Sequence, residues 1–212
     1  MAAEEDTRLI ESSLERLVAV KISSSYSQLP RLIQIVTDMG ILLCQYALGK
    51  KPYRRKILRT SGRILNETVN ASVEKAEKLM SSYAQIGLGF AAAGRTEAAL
   101  LAARLIEEGR ETLESTSPDR KALYSYWIGS IAKKAGRAGP AFEAFTRASG
   151  LAAESGDEVL YGNCQFHMGE IRLTQGKRDE ARAFFKSCRA ANPDHGKAGE
   201  YLREISEGVG DA

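Results

Sequence analysis

Groups that perform chemistry are scarce in this chain. Its 212 residues include only two histidines and three cysteines. No His-Glu-x-x-His, Gly-x-Ser-x-Gly or P-loop pattern occurs, so zinc-protease, serine-hydrolase and nucleotide-hydrolysis chemistry are not expected, and neither is a bound cofactor. Cys44, Cys164 and Cys188 are widely spaced with no Cys-x-x-Cys pair, which predicts reduced, buried thiols rather than a disulfide framework. Only five prolines interrupt a sequence dominated by Ala, Leu, Glu, Lys and Arg, which favours helix throughout. The most apolar run, Leu32 to Leu48, contains Gln34, Asp38 and Gln45 and reads as a buried core helix rather than a membrane span. Thirty basic residues against 27 acidic ones leave a net charge of +3, too little to imply nucleic acid from net charge alone. The N-terminus, Met1-Ala2-Ala3-Glu4-Glu5-Asp6, has neither the basic nor the apolar region of a secretory signal, so a cytoplasmic location is expected.

Three glycine pairs provide the organising signal. Gly87 and Gly94, Gly129 and Gly136, and Gly169 and Gly176 each span seven residues, and successive pairs are offset by 42 and then 40. One supersecondary unit is therefore repeated three times. Other columns align with the glycines: Ala99, Ala141 and Ala181, then Ala103, Phe145 and Phe185, then Ile106, Ala148 and Cys188. Small and large apolar residues at these intervals share a helical face, where the small ones permit close approach and the large ones fill the facing groove. Each unit is predicted to be a helical hairpin, with its second glycine at the turn in a left-handed conformation. Pro140 suits the first turn of the helix that follows.

These residues resemble the tetratricopeptide repeat family. The third unit matches best, with Gln165-Phe166-His167-Met168-Gly169-Glu170 followed by Gly176, Asp179-Glu180-Ala181, Phe185, Cys188 and Asn192-Pro193. The stretch Ala148 to Asp157 resembles the extended connector of the subclass with repeats of roughly 40 residues, and Arg172 stands where the family usually has an aromatic. The resemblance covers about residues 70 to 205. It implies an all-α, right-handed α-α superhelix of stacked hairpins, preceded by an N-terminal helical segment (1–69) and followed by a tail (206–212). Within that segment, Leu9, Ile10, Leu14, Leu17, Val18 and Ile22 form an amphipathic stripe, and Gly49 is a candidate turn of an eroded repeat. A short charged helix over Lys197 to Glu207 is expected to cap the array.

In this family the first helix of each hairpin lines the concave face. By that register the second and third units present Leu123, Tyr126, Trp127, Ser130, Lys133, Lys134, Asn163, Phe166, His167 and Glu170. Such a face suits a peptide with apolar side chains and an acidic group, unless Tyr126, Trp127 and Phe166 instead pack against a neighbouring helix. The first unit offers a smoother strip of Ser81, Ala84, Gln85, Leu88, Ala91 and Ala92, fit to receive an amphipathic helix from a partner or from this chain's own N-terminus. The positions that form a two-carboxylate clamp in chaperone-binding members hold Ala84, Leu88, Trp127, Asn163 and His167, without lysine or arginine; no such clamp is expected. Cys164 and His167 lie three apart, but Cys188 is a core position by the family register, so no metal site is expected.

A second feature is local charge. Lys50, Lys51, Arg54, Arg55, Lys56, Arg59 and Arg63 place seven positive charges in fourteen residues with no acid among them. They form either a solvated helix face or a patch for the phosphates of nucleic acid, an anionic membrane or an acidic protein. The sequence thus predicts a non-enzymatic adaptor or scaffold that binds another protein, with nucleic-acid or anionic-surface binding and self-association as alternatives.

Overall fold

The computed structural model describes residues 2–23, 25–28, 31–49, 57, 60, 73–112 and 118–207. Among the described residues the chain is all-α, with nine helices: α1 (Ala2–Ile22), α2 (Arg31–Ala47), α3 (Val73–Ala92), α4 (Thr96–Thr112), α5 (Pro118–Lys134), α6 (Ala138–Ser155), α7 (Glu158–Thr174), α8 (Arg178–Ala191) and α9 (Gly196–Glu207). None of these is long and apolar enough to cross a membrane. The chain divides into two compact units, Met1–Thr116 with Lys134–Gly136, and Ser117–Lys133 with Arg137–Ala212.

The repeated glycines explain the hairpins. Gly94, Gly136 and Gly176 adopt φ of 65°, 73° and 75°, the left-handed region that a side chain enters only with strain. The amide after each glycine then reaches back five residues, Arg95 to Phe90 and Arg137 to Ala132 at 2.8 Å and Lys177 to Arg172 at 2.9 Å. This Schellman closure satisfies carbonyls that the helix end would otherwise orphan. The first glycine of a pair has a different task. A Cβ built on Gly129 would lie 2.9 Å from the Phe145 ring, and one on Gly169 would lie 2.6 Å from the Phe185 ring. Absence of a side chain lets each aromatic of the second helix seat against the first, and both rings are fully buried.

In the first unit α3 packs on α4 around Leu79, Met80, Tyr83, Leu105 and Ile106. The N-terminal helices complete it: α1 packs on α2, α2 contacts α3 and α4, and the Arg95 guanidinium donates to the Thr7 hydroxyl. The predicted stripe of α1 is covered along only part of its length, with Ile10 buried but Ile22 78% exposed. In the second unit α6, α7, α8 and α9 pack in succession.

Two expectations need correction or completion. The stretch Ala148 to Asp157 is not an extended connector: α6 continues through Ser155 and the turn is confined to Gly156, with φ of 75°, and Asp157. Ala, Leu and Glu in this stretch sustain the helix through Gly150, so the repeat gains length in helix. Arg172, in place of an aromatic, lays its guanidinium 3.9 Å from the centroid of the Phe142 ring and pairs with Glu180 at 2.9 Å. A cation over a ring face supplies contact that an aromatic would have supplied.

Candidate functional site

The face predicted to bind a partner is built from α5 and α7, the first helices of consecutive hairpins. On α5, Leu123, Tyr126, Trp127, Ser130 and Lys133 are half-buried and Lys134 is exposed; on α7, Asn163, His167 and Glu170 are half-buried. Phe166 is a correction. It is 6% exposed, sealed in a cluster with Phe185, Cys188, Ala198 and Ile205. Its ring lies 4.5 Å from that of His195 and 6.0 Å from that of Tyr201. The expected capping helix, α9, therefore lands on Phe166 and withdraws it from any docking surface. His195 organises that landing, since its Nδ1 accepts the Ala198 amide at 3.2 Å and caps the helix.

At the C-terminal end of the face four side chains close a polar network. Tyr126 Oη lies 3.2 Å from His167 Nε2, His167 Nδ1 lies 2.8 Å from Glu170 Oε2, and the Lys133 ammonium donates to the same carboxylate. Lys133 Nζ also lies 3.0 Å from His167 Nδ1. With the imidazole proton on Nδ1 the ring donates to Glu170 and Nε2 accepts from the phenol, while the ammonium is held by the shared carboxylate. Burial alone raises the Glu170 pKa, but hydrogen bonds from His167 and Lys133 and the lysine charge outweigh it and hold the carboxyl below its ordinary value. Burial also pushes the Tyr126 phenol up, partly offset by a hydrogen bond with Ser130, so it stays a neutral donor. Of the two lysines expected to meet an acidic group of a partner, Lys133 pairs with Glu170 within the face and Lys134 stands exposed beside it.

At the other end the face opens. A hollow of about 370 Å³ is lined by Asp119, Arg120, Leu123, Asp157, Val159, Leu160 and Asn163. Asp157 caps α7 by accepting the Leu160 amide at 2.9 Å. Val159 is 62% exposed. The sequence reading missed Val159 and Asp119; the available signal was that Val159 lies one helical turn before Asn163 on α7.

On the first unit, Ala84 and Ala91 of the apolar strip are buried and Gln85 and Ala92 exposed. The N-terminal helices approach α3 along Ile86, Gly89 and Phe90, where a hollow of about 510 Å³ is also lined by Ile10, Leu17, Val36 and Cys44. The basic residues Lys50, Lys51, Arg54, Arg55, Lys56, Arg59 and Arg63 lie outside the described residues.

The three thiols are free and buried. Burial pushes Cys44 up to about 11; burial, with the nearby Asp157 charge, pushes Cys164 up to about 12. Cys188 is also raised by burial, with the Arg189 charge opposing. Thiols so placed remain protonated at neutral pH and are poor nucleophiles and ligands. Among the described residues no group of three or more His, Cys, Asp or Glu side chains is placed to hold a metal ion.

No family model and no curated protein matches the chain. Solved structures do. One is BtubC (BKLC) from P. vanneervenii, similar with a TM-score of 0.55 at 14% identity over 100% of this chain and 85% of that one. Another is a putative kinesin light chain with nearly identical TPR-like repeats from Podosopora anserina, at a TM-score of 0.48 and 12% identity, over 89% of this chain and 90% of that one.

Proposed function

We propose that this chain, whose fold is that of the tetratricopeptide-like helical repeats, is a non-enzymatic protein-interaction module that holds a peptide or helix of another protein along α5 and α7. The observation that carries the reading is the pattern of exposure on that face. Leu123 and Trp127 stay half-buried on consecutive turns of α5 and Asn163 on the facing α7, beside a network of Tyr126, His167, Glu170 and Lys133 that links the two helices. A partly open tryptophan on a rigid wall is the kind of anchor on which binding energy concentrates, and a wall already in place spares an ordering penalty at binding. The buried, unpaired state of Cys44, Cys164 and Cys188 suits a reducing compartment, so the cytoplasm is the proposed setting.

The test is affinity capture with the whole chain, read by mass spectrometry, beside two variants. Trp127→Ala is expected to lose its partners, since truncating a central aromatic removes about 2 kcal/mol or more of binding energy. Arg55→Glu combined with Arg59→Glu is expected to keep them, with little change between low and moderate salt. The opposite pattern, loss in the double charge variant with steep salt dependence, rejects the α5–α7 face in favour of an anionic partner on the basic segment.

A further inference from the structure

We infer that the first unit carries a binding site of its own: the hollow enclosed by α1, α2 and α3 takes an uncharged, apolar small molecule. The site shares no residue with the α5–α7 face.

Small residues keep the hollow open. α3 and the turn after it face the space with Gly89, Ala92 and Ala93 beside Ile86 and Phe90, and a Cβ built on Gly89 would meet nothing within 4 Å. On α2, Gly40 makes room for Leu17 of α1, since a Cβ there would lie 2.9 Å from the leucine Cδ1. α1 is thus held close to α2 while a gap of about 510 Å³ remains between these two helices and α3. Its deep walls, Ile10, Cys44 and Phe90, are buried, whereas Ser13 and Gly89 are exposed, so the hollow opens to solvent. Apolar walls gain by exchanging water for apolar contact. An apolar space of about 150 Å³ already holds a benzene ring, and ligand sites run from roughly 300 to 1,000 Å³, so the hollow has the size of a ligand.

Charge and size together choose the occupant. None of the described residues that line the hollow is charged, and their polar side-chain groups are the Ser13 hydroxyl and the Cys44 thiol. Burial pushes that thiol up to about 11, so it is neutral as well. Charges nearby on α1 and α2 are engaged elsewhere. Asp38, between Val36 and Gly40, pairs with Lys21 at 2.7 Å and accepts from the Tyr26 hydroxyl at 3.0 Å, while Glu11 and Glu15 line a different hollow with Arg95. A charged ligand would therefore give up hydration without gaining a partner. A helix of another protein is too large. The α1 wall from Ile10 to Leu17 is about 10 Å long, and a helix of that length, about 10 Å across with its side chains, fills on the order of 800 Å³. A compact apolar molecule fits both limits.

The probe is N-phenylnaphthylamine, uncharged and fluorescent in apolar surroundings, titrated into the whole chain beside anilinonaphthalene sulfonate, which adds an anionic group to the same ring system. The uncharged probe is expected to saturate at a single site and to bind at least about tenfold more tightly than the sulfonate. In amide NMR spectra it should shift the resonances of Gly40 and Gly89 and leave those of Gly129 and Gly169, in the second unit, in place. Val36 lines the hollow and is half-buried; Val36→Asp is expected to weaken probe binding about tenfold or more, Val36→Leu to keep it, and Trp127→Ala to leave it unchanged. Melting curves check that the variants fold, and if Val36→Asp does not, the amide shifts decide alone. The inference is overturned by absence of saturable binding, by equal affinity for the two probes, by shifts confined to the second unit, or by a folded Val36→Asp chain that binds as the unaltered one does. Sedimentation showing a dimer that excludes the probe overturns it too, in favour of a second copy over the hollow. Partner capture lost in Trp127→Ala stands or falls separately from all of these results.

Discussion

The Tyr83 hydroxyl is buried in the first unit and has no hydrogen-bond partner among the described residues. Burial, with the charge of Glu108, raises its pKa, so the group is a neutral phenol whose desolvation is uncompensated. Tyr83→Phe is expected to stabilise the chain by about 1 kcal/mol, visible as a higher melting temperature. A loss of stability would mean that the hydroxyl has a partner after all. Glu170 makes the contrasting case. Its folded pKa lies below the ordinary carboxylate value, so its contribution is present above the unfolded pKa and disappears as pH falls through the folded one. Thermal melts of the unaltered chain and Glu170→Gln should differ most near neutral pH and converge below about pH 4; a gap independent of pH rejects the ionic account. Neither residue's environment was legible in the sequence, because Glu170 meets Lys133 across 37 positions and nothing local marks the pairing.

Within the hairpins, two glycines of α7 and α6 should respond in opposite directions. Gly169→Ala drives a methyl to 2.6 Å from the Phe185 ring, whereas a methyl on Gly150 meets nothing within 4 Å. The first is expected to destabilise by about 1–3 kcal/mol through overpacking, and the second to stabilise by about 0.5–1 kcal/mol through helix propensity. Urea titrations of the two variants decide it: equal shifts in midpoint would refute the separation of packing glycine from tolerated glycine. The hairpin turns were readable because glycine pairs declare them over seven residues. The true extent of α6 was not, since Ser155-Gly156-Asp157 and Ser149-Gly150-Leu151 are similar as local strings. Only Gly156 takes a left-handed φ. Arg172 likewise gave no sign that Phe142, thirty positions earlier, would receive it.

For the molecule as a whole, α9 is the element on which the second unit's surface depends. It contributes Ala198 and Ile205 to the cluster that contains Phe166 and Phe185, and Tyr201 stacks on Phe185 at 5.0 Å. A chain ending at His195 should expose both phenylalanines, melt at lower temperature and bind a hydrophobic dye. Unchanged melting and no dye binding would show that the cluster stands without its lid. Helix content, hairpin boundaries at glycine and the succession of repeats were written in short-range signals: propensity, periodicity, and the need for a residue without a Cβ at φ near 70°. Folding decided which of the inward-facing side chains remained available. Phe166 went to the core and Lys133 to Glu170, while Val159 and Leu123 were left open. Those outcomes follow from contacts between helices distant in the chain, whose energies depend on what each side chain finds opposite it and leave no trace in its immediate neighbours.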